Sequence, residues 1–346
     1  KKSRSSSKKT HRSSGSRSSR ETDDFQLIGA TLNDRWKVTK QCGRGAFGTV
    51  YQVRDVSESR GEMYAVKIMP FFVDGKKSTA ETHKLLSSQR INIPVPNLNL
   101  EYNNLVYTGL FDNMYGEKIV RGNTDWFVKD SAEGVYLKDA SRPIDLRMSY
   151  LVMPYYKHTL SSVRIPSNGL NGRDVQRFGH SLVTKMQWVC TTSLRRKSNY
   201  LVHNDLKPDN IMFSNDISVD PTPIDWGVAT LQAYYRTKSI TGFVGTPMWC
   251  SPWVFEYTPI VLDDLIAIGF IMCHLLGLND WKEGGDDLER SNSKKNFITN
   301  MSNGDYDQDL RERDAMFLKE YMIWIEHENV TLLKESEELR TPHEIF

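Results

Sequence analysis

The chemistry-bearing residues are densest between positions 203 and 210. His203, Asp205, Lys207 and Asn210 follow the apolar run Tyr200-Leu201-Val202 as H-x-D-x-K-x-x-N. Asp205 can accept a proton from an attacking hydroxyl, Lys207 can neutralise charge on a moving group, and the Asn210 amide oxygen can hold a metal. Fifteen residues after Asn210 comes Asp225-Trp226-Gly227, preceded by Thr222-Pro223-Ile224. An isolated D-x-G is a turn; after the first cluster it supplies a second carboxylate, of the kind that bridges magnesium to phosphate oxygens. Gly43, Gly45, Gly48 and Val50 form a G-x-G-x-x-G-x-V stretch, in which glycines let backbone amides approach phosphates closely. Lys67 closes Ala65-Val66-Lys67 among apolar neighbours. A lysine buried there needs a partner, and Glu81, on a stretch with helical spacing, is the expected one.

The elements around these residues follow from periodicity. Residues 34–69 read as a strand meander with hairpin signals: Trp36 to Val38, then the alternating Thr49 to Val53, a turn near Gly61, and Met63 to Met69. Because a strand, not a helix, follows Gly48, the glycine stretch is a hairpin and not a Rossmann turn. Thr79 to Ser88 has helical spacing, ended by Pro94 and Pro96. Residues 97–145 are rich in Asn, Asp, Gly and Tyr, with room for short strands. Ser149 to Met153 is an apolar strand stopped at Pro154. Helical patterns then cover Val175 to Leu194, Leu262 to Leu276 and Arg311 to Ile325.

Together these motifs resemble the eukaryotic protein kinase family over about residues 34–340, in the family's order and at compatible spacings. The resemblance implies an α+β, two-lobed protein kinase fold. A small antiparallel β-sheet lobe with one helix (about 34–153) would precede a larger, mainly helical lobe (about 157–340). It implies ATP and Mg2+ as cofactors and protein Ser/Thr hydroxyls as acceptors, Lys207 being the form found in Ser/Thr kinases. Adenine would lie between Val50 and Ala65 on one side and Met212 on the other, with Met153 at the back wall and the backbone of Pro154 and Tyr156 at its edge. Lys67, oriented by Glu81, would meet the phosphates; Asn210 and Asp225 would hold the metal; Asp205 would serve the acceptor hydroxyl. Gly245-Thr246-Pro247-Met248-Trp249 is similar to the family's substrate-binding segment, with Thr246 near Asp205 and Lys207.

Leu262-Asp263-Asp264-Leu265, Leu275-Leu276-Gly277 with Trp281, and Ser251-Pro252-Trp253 in place of an A-P-E glutamate resemble the casein kinase 1 and vaccinia-related kinase group. Asn204 departs from the family's usual arginine before Asp205, which implies no strict need for phosphate on the activation segment, residues 225–252. Thr237, Ser239 and Thr241 are candidate phosphosites there, and Arg236 with Lys238 would favour acidic substrates. Residues 103–148 read as an insertion between strands. The rival reading is a pseudokinase scaffold that binds nucleotide or partners without efficient catalysis. Retention of Lys67, Glu81, Asp205, Lys207, Asn210 and Asp225 argues against it, and the apparent substrate segment argues against a small-molecule kinase.

Composition bounds the rest. The chain has 346 residues, 39% hydrophobic and 25% charged, enough apolar residues for a sizeable core. Residues 1–20 hold eight basic and no acidic residues and nine serines, so the remaining 37 basic and 43 acidic residues leave the body at −6. Residues 1–24 therefore read as a disordered Ser/Arg/Lys-rich tail able to contact polyanions or direct nuclear entry, while the acidic body argues against nucleic-acid binding. The four cysteines (Cys42, Cys190, Cys250, Cys273) are dispersed, fitting neither zinc nor a disulfide framework. The longest apolar stretch, Leu265 to Leu278, is too short for a membrane span. A nuclear or cytoplasmic location in a reducing compartment is expected.

Overall fold

The computed structural model describes residues 27–45, 48–57, 62–70, 72–73, 77–78, 98–110, 124–128, 135–138, 147–214, 220–232, 238–239, 244–282 and 285–338. Its N-terminal part is a curled sheet. Strands β1 (Thr31–Leu32), β2 (Trp36–Gly45), β3 (Gly48–Asp55) and β4 (Met63–Pro70) run as the expected antiparallel meander. A two-stranded ribbon, β5 (Phe72–Val73) and β6 (Lys77–Ser78), follows. After helix α1 (Leu98–Thr108) come β7 (Thr124–Val128), β8 (Val135–Tyr136) and β9 (Arg147–Pro154). The main sheet is ordered β7-β9-β4-β3-β2-β1-β8, antiparallel except for the β1–β8 pair.

Register decides which side chains face the chemistry. Val50 lies opposite Lys67, Lys67 opposite Leu151, and Ala65 opposite Met153. With a two-residue period these share one face of the sheet. The alternate residues Tyr51, Val53, Val66, Ile68, Tyr150 and Val152 share the other, where they bury a core with Trp36, Val38 and Phe127. Gly48 is forced by the backbone. Its φ is +140°, and a Cβ there would lie 2.4 Å from the Ile68 carbonyl oxygen.

The C-terminal part is helical. Helix α2 (Gly172–Lys197) starts at Asn171, whose side chain accepts the Arg173 amide, and ends with three basic residues where the helix dipole favours them. Val175, Phe178, Leu182, Met186 and Val189 form its buried stripe. Helix α3 (Val261–Leu275) is buried almost all round, as a central helix must be. Helix α6 (Met316–Glu338) packs along it, and α4 (Asp287–Asn303) and α5 (Asp307–Glu312) pack on α6. Short strands flank α2: β10 (His158–Thr159), ahead of it, pairs with β12 (Ile211–Phe213), which pairs with β13 (Thr222–Pro223), and β11 (Leu201–Val202) pairs with β14 (Thr230–Leu231). One large core runs through this part and reaches Met69, Leu98, Leu105 and Leu151 of the N-terminal part.

Several expectations change. The tail, the 79–88 helix with Glu81, and Arg236, Thr237 and Thr241 lie outside the described residues. The stretch 103–148 is not simply an insertion. Its first six residues complete α1, and 124–128 is a strand of the main sheet, beside β9. The helical pattern over 311–325 is broken, because Asp314 adopts φ +56° between α5 and α6. The Arg313 guanidinium there is drawn to the Leu276 carbonyl at 2.6 Å. Helix α4, whose sequence is mostly polar, had no legible periodicity; its start is a capping box, with Asp286 accepting the Glu289 amide at 2.8 Å and Glu289 reaching back to the Asp286 amide.

Candidate functional site

Two polar clusters form around the residues singled out from sequence. In the first, the Lys67 ammonium lies 2.8 Å from a Glu101 carboxylate oxygen and 2.8 Å from Asp225. The expected partner, Glu81, lies outside the described residues; among the described residues Lys67 pairs with Glu101, on α1. The physical reason is placement. Helix α1 packs against β9, β7 and the turn after Asp225, which brings Glu101 under β4 with its side chain only 3% exposed. Three residues on, Asn104 donates to the carbonyls of Trp226 at 2.9 Å and Ala229 at 3.0 Å. One helical face thus grips both the strand lysine and the D-x-G turn. The signal for this was an E-x-x-N spacing in a segment rich in Asn, a poor helix former, so periodicity gave little warning.

Charge is balanced within the cluster. Burial works against the Lys67 ammonium, but Glu101 and Asp225 outweigh it and hold its pKa above the ordinary lysine value. Burial likewise works against the Asp225 charge, and Lys67 draws that carboxyl below its usual range. Wholly buried Glu101 is pushed up by burial and only partly drawn back by Lys67. Asp225 has φ +61°, a left-handed conformation that Asp tolerates, and Trp226 after it is fully buried, its indole N–H donating to the Pro223 carbonyl.

The second cluster centres on Asp205. Thr246 Oγ1 donates to one carboxylate oxygen at 2.6 Å; Lys207 at 2.7 Å and Asn210 Nδ2 at 3.0 Å donate to the other. Lys207 also donates to Thr246 at 2.8 Å. The loop is held from below by Asp264, at the start of α3, which accepts the His203 amide at 2.6 Å and the Asn204 amide at 3.1 Å. Burial pushes the Asp264 carboxyl up to about 7, although these two amides oppose it. His203 is buried, which lowers its pKa; its Nε2 meets the Ile224 carbonyl, and its ring lies 4.4 Å from that of Trp226. Asn204, at φ +68°, donates to the Val228 carbonyl and to Thr230 Oγ1, both at 2.9 Å.

The β12–β13 pairing joins the clusters. Ile211 lies opposite Pro223, and the Ile224 amide donates to the Asn210 carbonyl at 2.9 Å. Asn210 and Asp225 therefore stand at the same end of one hairpin, and Lys207 acts electrostatically on Asp225. Half-buried Met212 extends from β12 onto the large core. Gly43 and Gly45 are at the tip of the β2–β3 hairpin, where Gly45 pairs with Gly48. Pro154 ends β9 opposite Tyr64, and Tyr156 just beyond is buried.

The donor set suits a phosphate-bound magnesium ion. Among the described residues no group of three or more His, Cys, Asp or Glu stands ready to hold a metal alone. One carboxylate and one amide at a hairpin end match an ion that takes its remaining ligands from phosphates and water. No helix among the described residues is long and apolar enough to cross a membrane.

Comparison with known proteins gives kinase-like similarity, partial and low in identity. No protein-family model matches the chain. A putative serine/threonine-protein kinase, R436, of Acanthamoeba polyphaga mimivirus is 24% identical over 145 residues, 41% of this chain and 51% of that protein. Chicken smooth-muscle myosin light chain kinase is 34% identical over 95 residues, 27% of this chain and 5% of that protein. A titin homolog of Caenorhabditis elegans is 24% identical over 290 residues, 83% of this chain but 1% of that protein. The matches thus span about half of the viral relative and far less of the others.

Proposed function

We propose that the chain is a protein kinase of two-lobed fold that transfers the γ-phosphoryl group of ATP to Ser or Thr hydroxyls of protein substrates. The observation that carries this is the shared hairpin end. It sets Lys67, Glu101 and Asp225 beside Asp205, Lys207, Asn210 and Thr246. The partial similarity to kinases supports the same reading.

In this reading Val50 and Ala65 line one wall of the adenine pocket and Met212 the other, with Met153 at the back wall and the backbone at Pro154 and Tyr156 along the edge. The turn through Gly43, Gly45 and Gly48 covers the phosphates. Lys67, fixed by Glu101, presents its ammonium to them. Asn210 and Asp225 would hold magnesium, which when bound neutralises phosphate charge. Asp205 orients the acceptor hydroxyl and takes its proton, and Lys207 offsets charge developing on the transferred group. The arrangement acts by positioning and by preformed electrostatics.

The branch nearest casein kinase 1 and the vaccinia-related kinases is supported by Asp263-Asp264-Leu265 opening α3 and by Trp281, fully buried against Trp249 at 5.3 Å. Asn204 fills the place of a phosphate-reading arginine with direct bonds to Val228 and Thr230, so activity is set without activation-segment phosphate. The acidic body leaves polyanion contact to the tail, and the protein acts in the nucleus or cytoplasm.

The test is transfer of labelled γ-phosphate from magnesium-ATP to casein and to a basic protein, with Asp205→Ala as control. Transfer lost in the variant is expected. Tight ATP binding without transfer by the wild type would replace this reading with a scaffold role, and no nucleotide binding would overturn it altogether.

A further inference from the structure

Lys294, on α4, is 1% exposed. Its ammonium donates to the carbonyls of Pro247 and Cys250, each at 2.6 Å, and lies 3.6 Å from Cys250 Sγ. The rings of Phe270 and Phe255 sit 5.4 Å and 5.7 Å away. Among the described residues no carboxylate pairs with it. An ammonium buried without a counter-ion is expensive, and a helix that needed only packing at this point would carry Leu or Met.

The two carbonyls belong to one tight turn. The amides of Trp249 and Cys250 both donate to the Thr246 carbonyl, at 3.0 and 3.2 Å. The downstream carbonyls of that turn end on Lys294, while at its head Thr246 Oγ1 donates to Asp205 at 2.6 Å. Ser291, one helical turn before Lys294 and also 1% exposed, donates to the Pro252 carbonyl at 3.0 Å. Helix α4 therefore reaches the 246–252 segment through two buried donors on one face. Neither was singled out from sequence, where Lys294 reads as one more basic residue in a polar helix.

We propose that Lys294 is a positioning residue for phosphotransfer. It fixes the Thr246–Cys250 turn so that Thr246 holds the Asp205 carboxylate in register with the acceptor hydroxyl of a protein substrate. This rests on the phosphotransfer reading and adds to it a part of the machinery that touches neither nucleotide nor acceptor.

The experiment is a double-mutant cycle on the full chain with Lys294→Met and Thr246→Val. It reads ATP affinity, kcat and KM for a protein substrate, thermal midpoint, and amide hydrogen exchange of residues 245–252. Lys294→Met should leave ATP affinity within twofold, lower kcat about 10²-fold, as expected for a displacement near 1 Å at the reacting groups, and speed exchange in 245–252. Combined with Thr246→Val it should lower kcat no further than the larger single effect. Ser291→Ala, which leaves the turn's carbonyls bound, should lower the thermal midpoint with kcat kept within threefold. Multiplicative losses in the double variant, or a Lys294→Met protein with wild-type kcat and KM, would overturn the proposal. If Lys294→Met does not fold, Lys294→Gln, which still donates to one carbonyl, carries the same cycle and the same refutation. A wild type that transfers no phosphate overturns the functional reading, and the Lys294 assignment falls with it; an active wild type with an unaffected Lys294 variant overturns the assignment alone.

Discussion

Replacing Lys67 by Met removes the cation that two carboxylates share. The Lys67 side chain is 11% exposed and Glu101 3%, so water cannot take over for Glu101, whereas Asp225 is 36% exposed and keeps some hydration. Removing one partner of a buried ion pair costs about 3–5 kcal/mol, largely because the other charge stays buried and unpaired. Glu101 can escape that penalty by taking a proton. Its pKa is already raised by burial with Lys67 present, and losing the ammonium raises it further. A carboxyl whose folded pKa lies above its unfolded value contributes stability that is present at low pH and lost as pH rises through the folded value. The destabilisation of Lys67→Met relative to wild type should therefore be small near pH 5 and grow to about 3 kcal/mol or more by pH 8. Urea unfolding of both proteins across that range, followed by tryptophan fluorescence, measures it. Lys67→Met/Glu101→Gln should lose most of the pH dependence. A difference below about 1 kcal/mol that stays flat from pH 5 to 8 would refute the pairing, and would return the role to Glu81.

Other outcomes follow from single contacts. Gly48→Ala should destabilise by about 1–3 kcal/mol and weaken ATP binding, because its Cβ meets the Ile68 carbonyl at 2.4 Å, whereas Gly43→Ala, with nothing within 4 Å, should be near neutral; calorimetry with and without ATP separates them. Asp264→Asn turns one acceptor oxygen into an N–H donor facing the His203 and Asn204 amides, so it should cost about 2 kcal/mol or more and most of the turnover. The raised Asp264 pKa means that part of the stability present in acid is lost as pH rises toward about 7, and thermal melts of Asp264→Asn should lack that segment of the pH profile. Asn204→Ala should slow phosphotransfer by freeing the Val228 carbonyl and Thr230, while phosphatase treatment of the wild type should leave the rate unchanged.

The residues of the 203–210 loop, the D-x-G turn and the glycine hairpin were legible from sequence because their identities and short spacings carry the signal. The meander over 34–69 was legible because alternation of apolar residues fixes which face of a strand is buried. Asp264 fell near the start of the expected 262–276 helix, but nothing in the sequence marked it as the acceptor for the two amides that carry the loop.

What the tertiary structure decided was partnership over long separations. Lys67 pairs with Glu101, 34 residues away, because α1 packs on β9 and on the turn after Asp225, and no local pattern encodes that docking. Lys294 meets carbonyls 44 and 47 residues upstream, and such bonds leave no trace in residue type because every residue has a carbonyl. The break at Asp314 and the start of α4 at Asp286 likewise came from backbone conformation and capping in place, where hydrophobic periodicity was weak. Sequence alone determined which groups could do chemistry; burial, register and helix docking determined which of them share charge and which are held in reach of one another.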